Sequence, residues 1–122
     1  MKKILVVDDD PLMHRLFQHH LEKAGYQMMS AKTGREALDL AGRQPPNLIV
    51  MDIMMPDMDG LEALRELKKG DVTKAIPVIV ITANGHYVAR KESEQSGASV
   101  FLTKPFSPTQ LLTEVRKLVP PA

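Results

Sequence analysis

The sequence of 122 residues predicts a doubly wound parallel α/β domain, and three observations carry that reading. Four short runs, at 4–7 (ILVV), 48–51 (LIVM), 78–81 (VIVI) and 100–102 (VFL), are continuously apolar. Such runs suit strands covered by helices on both faces, because a half-exposed strand would alternate polar with apolar. Between the runs lie segments with helical spacing and helix-start residues. The two kinds of segment alternate strictly, and neighbouring parallel strands need a crossover, which a helix supplies in a right-handed sense.

After the first strand, Asp10 is a helix N-cap and Pro11 a first helical residue. Leu12, Leu16, Phe17, Leu21 and Ala24 then recur at helical spacing until Gly25 closes the helix. Residues 26–31 mix Gln27 and Ser30 among apolar neighbours and read as an exposed edge strand. Thr33 with Glu36, Asp59 with Glu62, and Ser107 with Gln110 have capping-box spacing, and Pro108 starts the last helix. Gly70 and Gly97 read as helix C-caps. The segment from Arg90 to Ser96 is polar for a packed helix and is expected to be loosely held. Five strands and five helices follow, for which the common arrangement is flavodoxin-like, a three-layer α/β/α sandwich with strand order 2-1-3-4-5. One domain is expected over 1–119, with 120–122 (PPA) as a tail or the start of a linker.

Bulk chemistry removes several classes of function. Hydrophobic and charged contents of 43% and 25% are those of a globular domain, which excludes disorder. The net charge of +1, with both signs interleaved, argues against direct nucleic-acid binding and against a membrane-surface patch. Without cysteine there is no disulfide framework, thiolate metal site or thiol nucleophile. The opening MKKILVV runs into acids rather than a cleavage site, and no apolar run reaches bilayer length, so a cytoplasmic location is expected.

In open α/β sheets, sites form beyond the carboxyl ends of the strands, near the point where strand order reverses. There the sequence supplies Asp8, Asp9 and Asp10, then Asp52, then Thr82 and Ala83, then Thr103, Lys104 and Pro105. Neighbouring carboxylates repel by roughly 4 kcal/mol per close pair at an effective dielectric near 20, so a cation must join them or one must hold its proton. An all-oxygen donor set favours Mg²⁺ over Zn²⁺. A carboxylate beside a divalent ion, a lysine and a hydroxyl has the parts for phosphoryl transfer, with Asp52 as nucleophile and Lys104 and Thr82 steadying the phosphoryl oxygens.

The motifs VVDDD, IVMDIMMPDMDG, VIVITAN and FLTKPF, in this order over nearly the whole chain, resemble the receiver domain of two-component response regulators. Within that family the likeness is to the single-domain, chemotaxis type of regulator. The resemblance implies that Asp52 accepts the phosphoryl group and that Asp9 contacts Mg²⁺ directly, with Asp8 reaching it through water. It also implies the Met54 carbonyl as a third protein ligand, Mn²⁺ as a substitute ion, and Pro56 and Gly60 as shapers of the following loop. Lys104 pairs with the phosphate and precedes a cis Pro105. Thr82 and Phe101 match the switch pair, which couples phosphorylation to the face of the fourth helix, fifth strand and fifth helix. Partners implied are a sensor histidine kinase or histidine phosphotransfer protein, and a downstream target or absent output domain. The run 97–100 (GASV) lacks the acid common after Gly-Ala in regulators that dimerise as winged-helix transcription factors, so a monomer or weak phosphorylation-dependent dimer is expected. Met54 and Asn84 sit where the family tunes phosphate lifetime, which implies slow-to-moderate self-dephosphorylation. On this reading the chain catalyses only its own phosphorylation and dephosphorylation.

Other readings are weaker. A small Mg²⁺-dependent phosphatase of haloacid-dehalogenase type also uses a strand-end Asp, but wants an acid/base Asp two residues later, where Met54 stands. A flavin or nucleotide carrier would need a phosphate-binding loop after the first strand, where three aspartates stand instead. His14, His19, His20 and His86 lack a spacing that joins two imidazoles on one metal and read as surface residues. Met51, Met54, Met55 and Met58 read as packing and loop cover rather than a copper site.

Overall fold

The computed structural model describes residues 1–53, 60–83 and 87–121, with 87–89 described by their backbone. The elements run β1 (Lys3–Val7), α1 (Pro11–Lys23), β2 (Gln27–Ala31), α2 (Gly34–Arg43), β3 (Leu48–Asp52), α3 (Gly60–Lys69), β4 (Val78–Thr82), α4 (Tyr87–Gln95), β5 (Val100–Thr103) and α5 (Pro108–Leu118). All four strand pairings are parallel and the order is β2-β1-β3-β4-β5. The doubly wound, flavodoxin-like arrangement expected from alternation is the one observed.

Side chains of the central strands alternate between two cores, as the period of two requires. Leu5, Val7, Ile49, Met51, Val78 and Val80 face α2 and α3 through Ala37, Ala41, Leu64 and Leu67. Ile4, Val6, Leu48, Val50, Ile79 and Ile81 face α1 and α5 through Phe17, Leu21, Leu111 and Val115. Both faces are covered, which is why these runs contain no polar interruption. β5 departs from the expectation of a strand buried on both sides: at the sheet edge, Val100 and Phe101 are only half-buried.

Helix starts follow the sequence signals. Asp10 Oδ1 accepts from the Leu12 amide at 2.9 Å, Thr33 Oγ1 from Glu36 at 3.0 Å, and Ser107 Oγ from Gln110 at 3.0 Å. The Asp59 cap and Pro56 lie outside the described residues. Gly97 takes φ +107 after α4, a backbone that suits glycine, whereas Gly70 has no positive φ. At Gly60 close approach decides the residue, because a Cβ there would lie 2.2 Å from Ile53 Cα and 2.8 Å from the Asp52 carbonyl oxygen. The start of α3 thus presses directly on the end of β3.

Two contacts tie α5 and its preceding loop to the α1 side. Tyr26, outside β2 and fully buried, donates its hydroxyl to the Val119 carbonyl at 2.6 Å. Phe106 stacks on Phe17 with ring centroids 5.6 Å apart. Tyr26→Phe should therefore cost about 1–2 kcal/mol in urea unfolding, since it strands a carbonyl. From Arg90 onward, Ser93 is the one buried residue of α4, with no apolar side chain among them. Amides of Glu92 to Gln95 should exchange at least about tenfold faster than those of Leu64 to Leu67 in α3; equal protection would contradict loose packing of α4.

Candidate phosphoacceptor site

Register brings the strand ends level. Val7 pairs with Met51, Asp52 with Ile81, and Thr82 with Thr103. Asp8, one residue past β1, therefore stands beside Asp52 at the end of β3, with Thr82 next and Lys104 one residue past β5. Asp8, Asp52 and Thr82 are buried, while Asp9 and Ala83 are exposed. Carboxylate oxygens of Asp8, Asp9 and Asp52 all lie within 4.8 Å of one another.

Lys104 closes this group. Its Nζ donates to Asp52 Oδ2 at 2.9 Å and to Asp8 Oδ2 at 3.2 Å. Its backbone amide donates to the Thr82 carbonyl at 2.8 Å, fixing where the side chain starts. The Lys104-Pro105 bond is cis, as the resemblance implied. Burial works against the Lys104 ammonium, but the hydrogen bond and charge of Asp52, then those of Asp8, outweigh it and hold its pKa above the usual 10.5. Burial pushes the Asp8 carboxyl above its usual 3.8, against the pull of the Asp10 amide and Lys104 and with a further push from Asp52. The two resolutions of carboxylate crowding, a cation between them and a proton held more tightly, are both at work.

Oxygen-only donors at this spacing, two of them buried and one without a partner side chain among the described residues, fit a hard divalent cation such as Mg²⁺. Phe101 pairs with Val80, so by alternation it shares a sheet face with Thr82, and it packs half-buried against the α2/α3 core. Met54, Met55, Met58, Asn84 and His86 lie outside the described residues. His14 corrects the surface reading of the histidines: it is half-buried, with Nε2 2.6 Å from the Asp8 carbonyl oxygen. Its only sequence signal is position, one turn into α1 and six residues after Asp8. His19 is exposed and meets His20 edge to face.

The family model of the response regulator receiver domain matches residues 4–116. This chain belongs to that family. The receiver domain is 40% identical over 118 residues to the probable transcriptional regulator ycf27 of Cyanophora paradoxa, covering 97% of this chain and 48% of that protein. It thus spans about half the length of that curated relative. Among solved structures, chemotaxis protein CheY4 of Vibrio cholerae has TM-score 0.91 and 32% identity, over 98% of this chain and 99% of that one. The receiver domain of a sensor histidine kinase from Pseudomonas aeruginosa, solved with a magnesium ion coordinated in its active-site cleft, has TM-score 0.89 and 30% identity, over 96% of each chain.

The direction of the Asp8 shift gives a test. A carboxyl whose folded-state pKa is raised costs stability as pH climbs from 3.8 through the raised value, because the folded state must give up a proton it holds more tightly. In metal-free buffer Asp8→Asn should be more stable than the parent at neutral pH, with the gain vanishing below about 3.8. Urea melts across pH would show it, and a variant less stable than the parent at neutral pH would contradict it.

Proposed function

We propose that this receiver domain accepts a phosphoryl group from a phosphohistidine donor on the Asp52 carboxylate, with Mg²⁺ bound at the same strand edge. The observation that carries the reading is the Lys104 ammonium within hydrogen-bond reach of both Asp52 and Asp8, with Asp9 beside them. An Asp52 oxygen attacks the phosphorus in line, the phosphorus–nitrogen bond breaks, and the imidazole leaves with the electron pair. Lys104 turns from the carboxylates toward the incoming phosphoryl oxygens, and the Thr82 hydroxyl and Ala83 amide donate to them. Asp8, Asp9 and Asp52, with the Met54 carbonyl as the further expected ligand, would hold Mg²⁺ or Mn²⁺, which when bound offsets charge on the equatorial oxygens.

The result is a charge of about −1.5 to −2 beside Thr82. Thr82 moving toward it would open space on the face it shares with Phe101, and rotation of that ring would alter the α4-β5-α5 surface. This biases an existing two-state equilibrium. The chain itself turns over no separate substrate on this reading; it catalyses its own phosphorylation and dephosphorylation.

A recess of about 370 Å³ lined by Met13, Leu16, Ala83, Lys104, Pro105 and Phe106 adjoins the site, and its Leu16 is 40% exposed. This apolar rim suits docking by the donor, a sensor histidine kinase or histidine phosphotransfer protein. The phosphorylated surface would act on a downstream target or on an output domain of a longer protein, without direct contact with nucleic acid or membrane by this domain. No helix among the described residues is long and apolar enough to cross a membrane, and a cytoplasmic location belongs to the same proposal.

Incubation with Mg²⁺ and a small phosphodonor should add one acid-stable, base-labile phosphoryl group, located by mass. Asp52→Asn should take up none, and Lys104→Gln should be slowed by roughly 10²-fold, the usual cost of losing one donor to developing charge. An unlabelled parent, or undiminished labelling of Asp52→Asn, would overturn the proposal.

A further inference from the structure

We propose that His14 is a positioning residue for the divalent-cation site: its ring holds the Asp8 carbonyl and, through the Asp8-Asp9 peptide, aims the Asp9 carboxylate. The inference rests on the reading of Asp8, Asp9 and Asp52 as cation ligands and adds a residue to it.

Every polar atom of Asp8 is engaged. Its amide donates to the Ala31 carbonyl at 3.1 Å, Oδ1 accepts from the Asp10 amide at 2.9 Å, and Oδ2 accepts from Lys104 at 3.2 Å. The fourth atom is the carbonyl oxygen, 2.6 Å from His14 Nε2. A carbonyl only accepts, so Nε2 carries the hydrogen and Nδ1 is the lone-pair nitrogen of the neutral ring. That Nδ1 is buried and has no hydrogen-bond partner among the described residues. A buried acceptor without a donor is unfavourable. The ring is therefore held in place by its Nε2 bond at the expense of its other nitrogen, the reverse of what a surface histidine would adopt.

The carbonyl that His14 holds belongs to the peptide leading to Asp9. The peptide unit is planar, so fixing the direction of this carbonyl fixes the Asp9 amide and the origin of its side chain. Asp9 needs such control more than its neighbours. The Asp8 and Asp52 carboxylates are tied to Lys104, whereas Asp9 is exposed and no hydrogen bond or ion pair among the described residues holds its carboxylate. Its aim is set by the backbone, and the peptide leading into it is held at its carbonyl by His14. Groups that orient metal ligands in this way commonly govern affinity nearly as strongly as the ligands do.

The test is calorimetric titration of the metal-free chain with Mn²⁺ and Mg²⁺. His14→Leu, which removes the donor, should weaken binding about tenfold, and His14→Gln, whose amide reaches a similar distance, should stay within about threefold of the parent. Where the leucine variant does not fold, His14→Met serves in its place. A leucine or methionine variant binding as tightly as the parent, or a glutamine variant as weak as they are, would overturn the role of His14. A parent that binds neither ion would overturn the cation reading itself. Independently of metal, nitrogen NMR of the metal-free protein should show His14 protonated on Nε2; a ring protonated on Nδ1 would overturn the proposal.

Discussion

The interaction on which the site depends is the bridge from Lys104 to Asp52 and Asp8. Two buried carboxylates side by side are unfavourable in an apolar sheet, and the fold tolerates them because one ammonium reaches both. The same arrangement is a store of anion-binding capacity. Under the proposed function, the lysine would exchange carboxylates for phosphoryl oxygens when a divalent cation took over the carboxylates, so the features that hold the site together are those that a phosphorylated state would use.

Everything else in the fold places this bridge. Parallel pairing in register brings the ends of β1, β3, β4 and β5 to one level, which no antiparallel arrangement of the same runs would do. Gly60 lets α3 begin hard against the Asp52 carbonyl. The amide of Lys104 is anchored on Thr82, and the loop after it is anchored by the Phe106-Phe17 stack. His14, from α1, holds the carbonyl between the two acids that follow β1. Thus Asp8, Asp9, Asp52 and Thr82 are short side chains placed by the backbone, and Lys104 is the long one that reaches across to Asp8 and Asp52.

The fold was legible because each helix and strand carries its own signal. Apolar runs at 48–51 and 78–81 have no polar interruption because both faces are covered, and Asp10, Thr33 and Ser107 mark helix starts by the side-chain oxygen they offer. Asp52, Asp8, Asp9, Thr82 and Lys104 were legible as a set because strand ends converge whatever the helices do. Three features were not. The half-burial of β5 depends on its being an edge, which follows from strand order rather than from its own residues. Tyr26 reads as the start of a strand, and its bond to Val119 spans 93 positions that no local pattern links. His14 carries no motif at all; its contact with Asp8 depends on where α1 places its first turns relative to the residues after β1, a tertiary property.

The bridge can be measured directly by following the Lys104 side-chain resonances through a pH titration of the metal-free protein. Stability contributed by a raised lysine pKa is fully present below 10.5 and is lost as pH rises through the folded-state value. The account predicts a Lys104 pKa above 10.5 in the parent, falling in Asp52→Asn as burial is left less opposed. A parent value at or below 10.5, or one indifferent to the loss of Asp52, would contradict it.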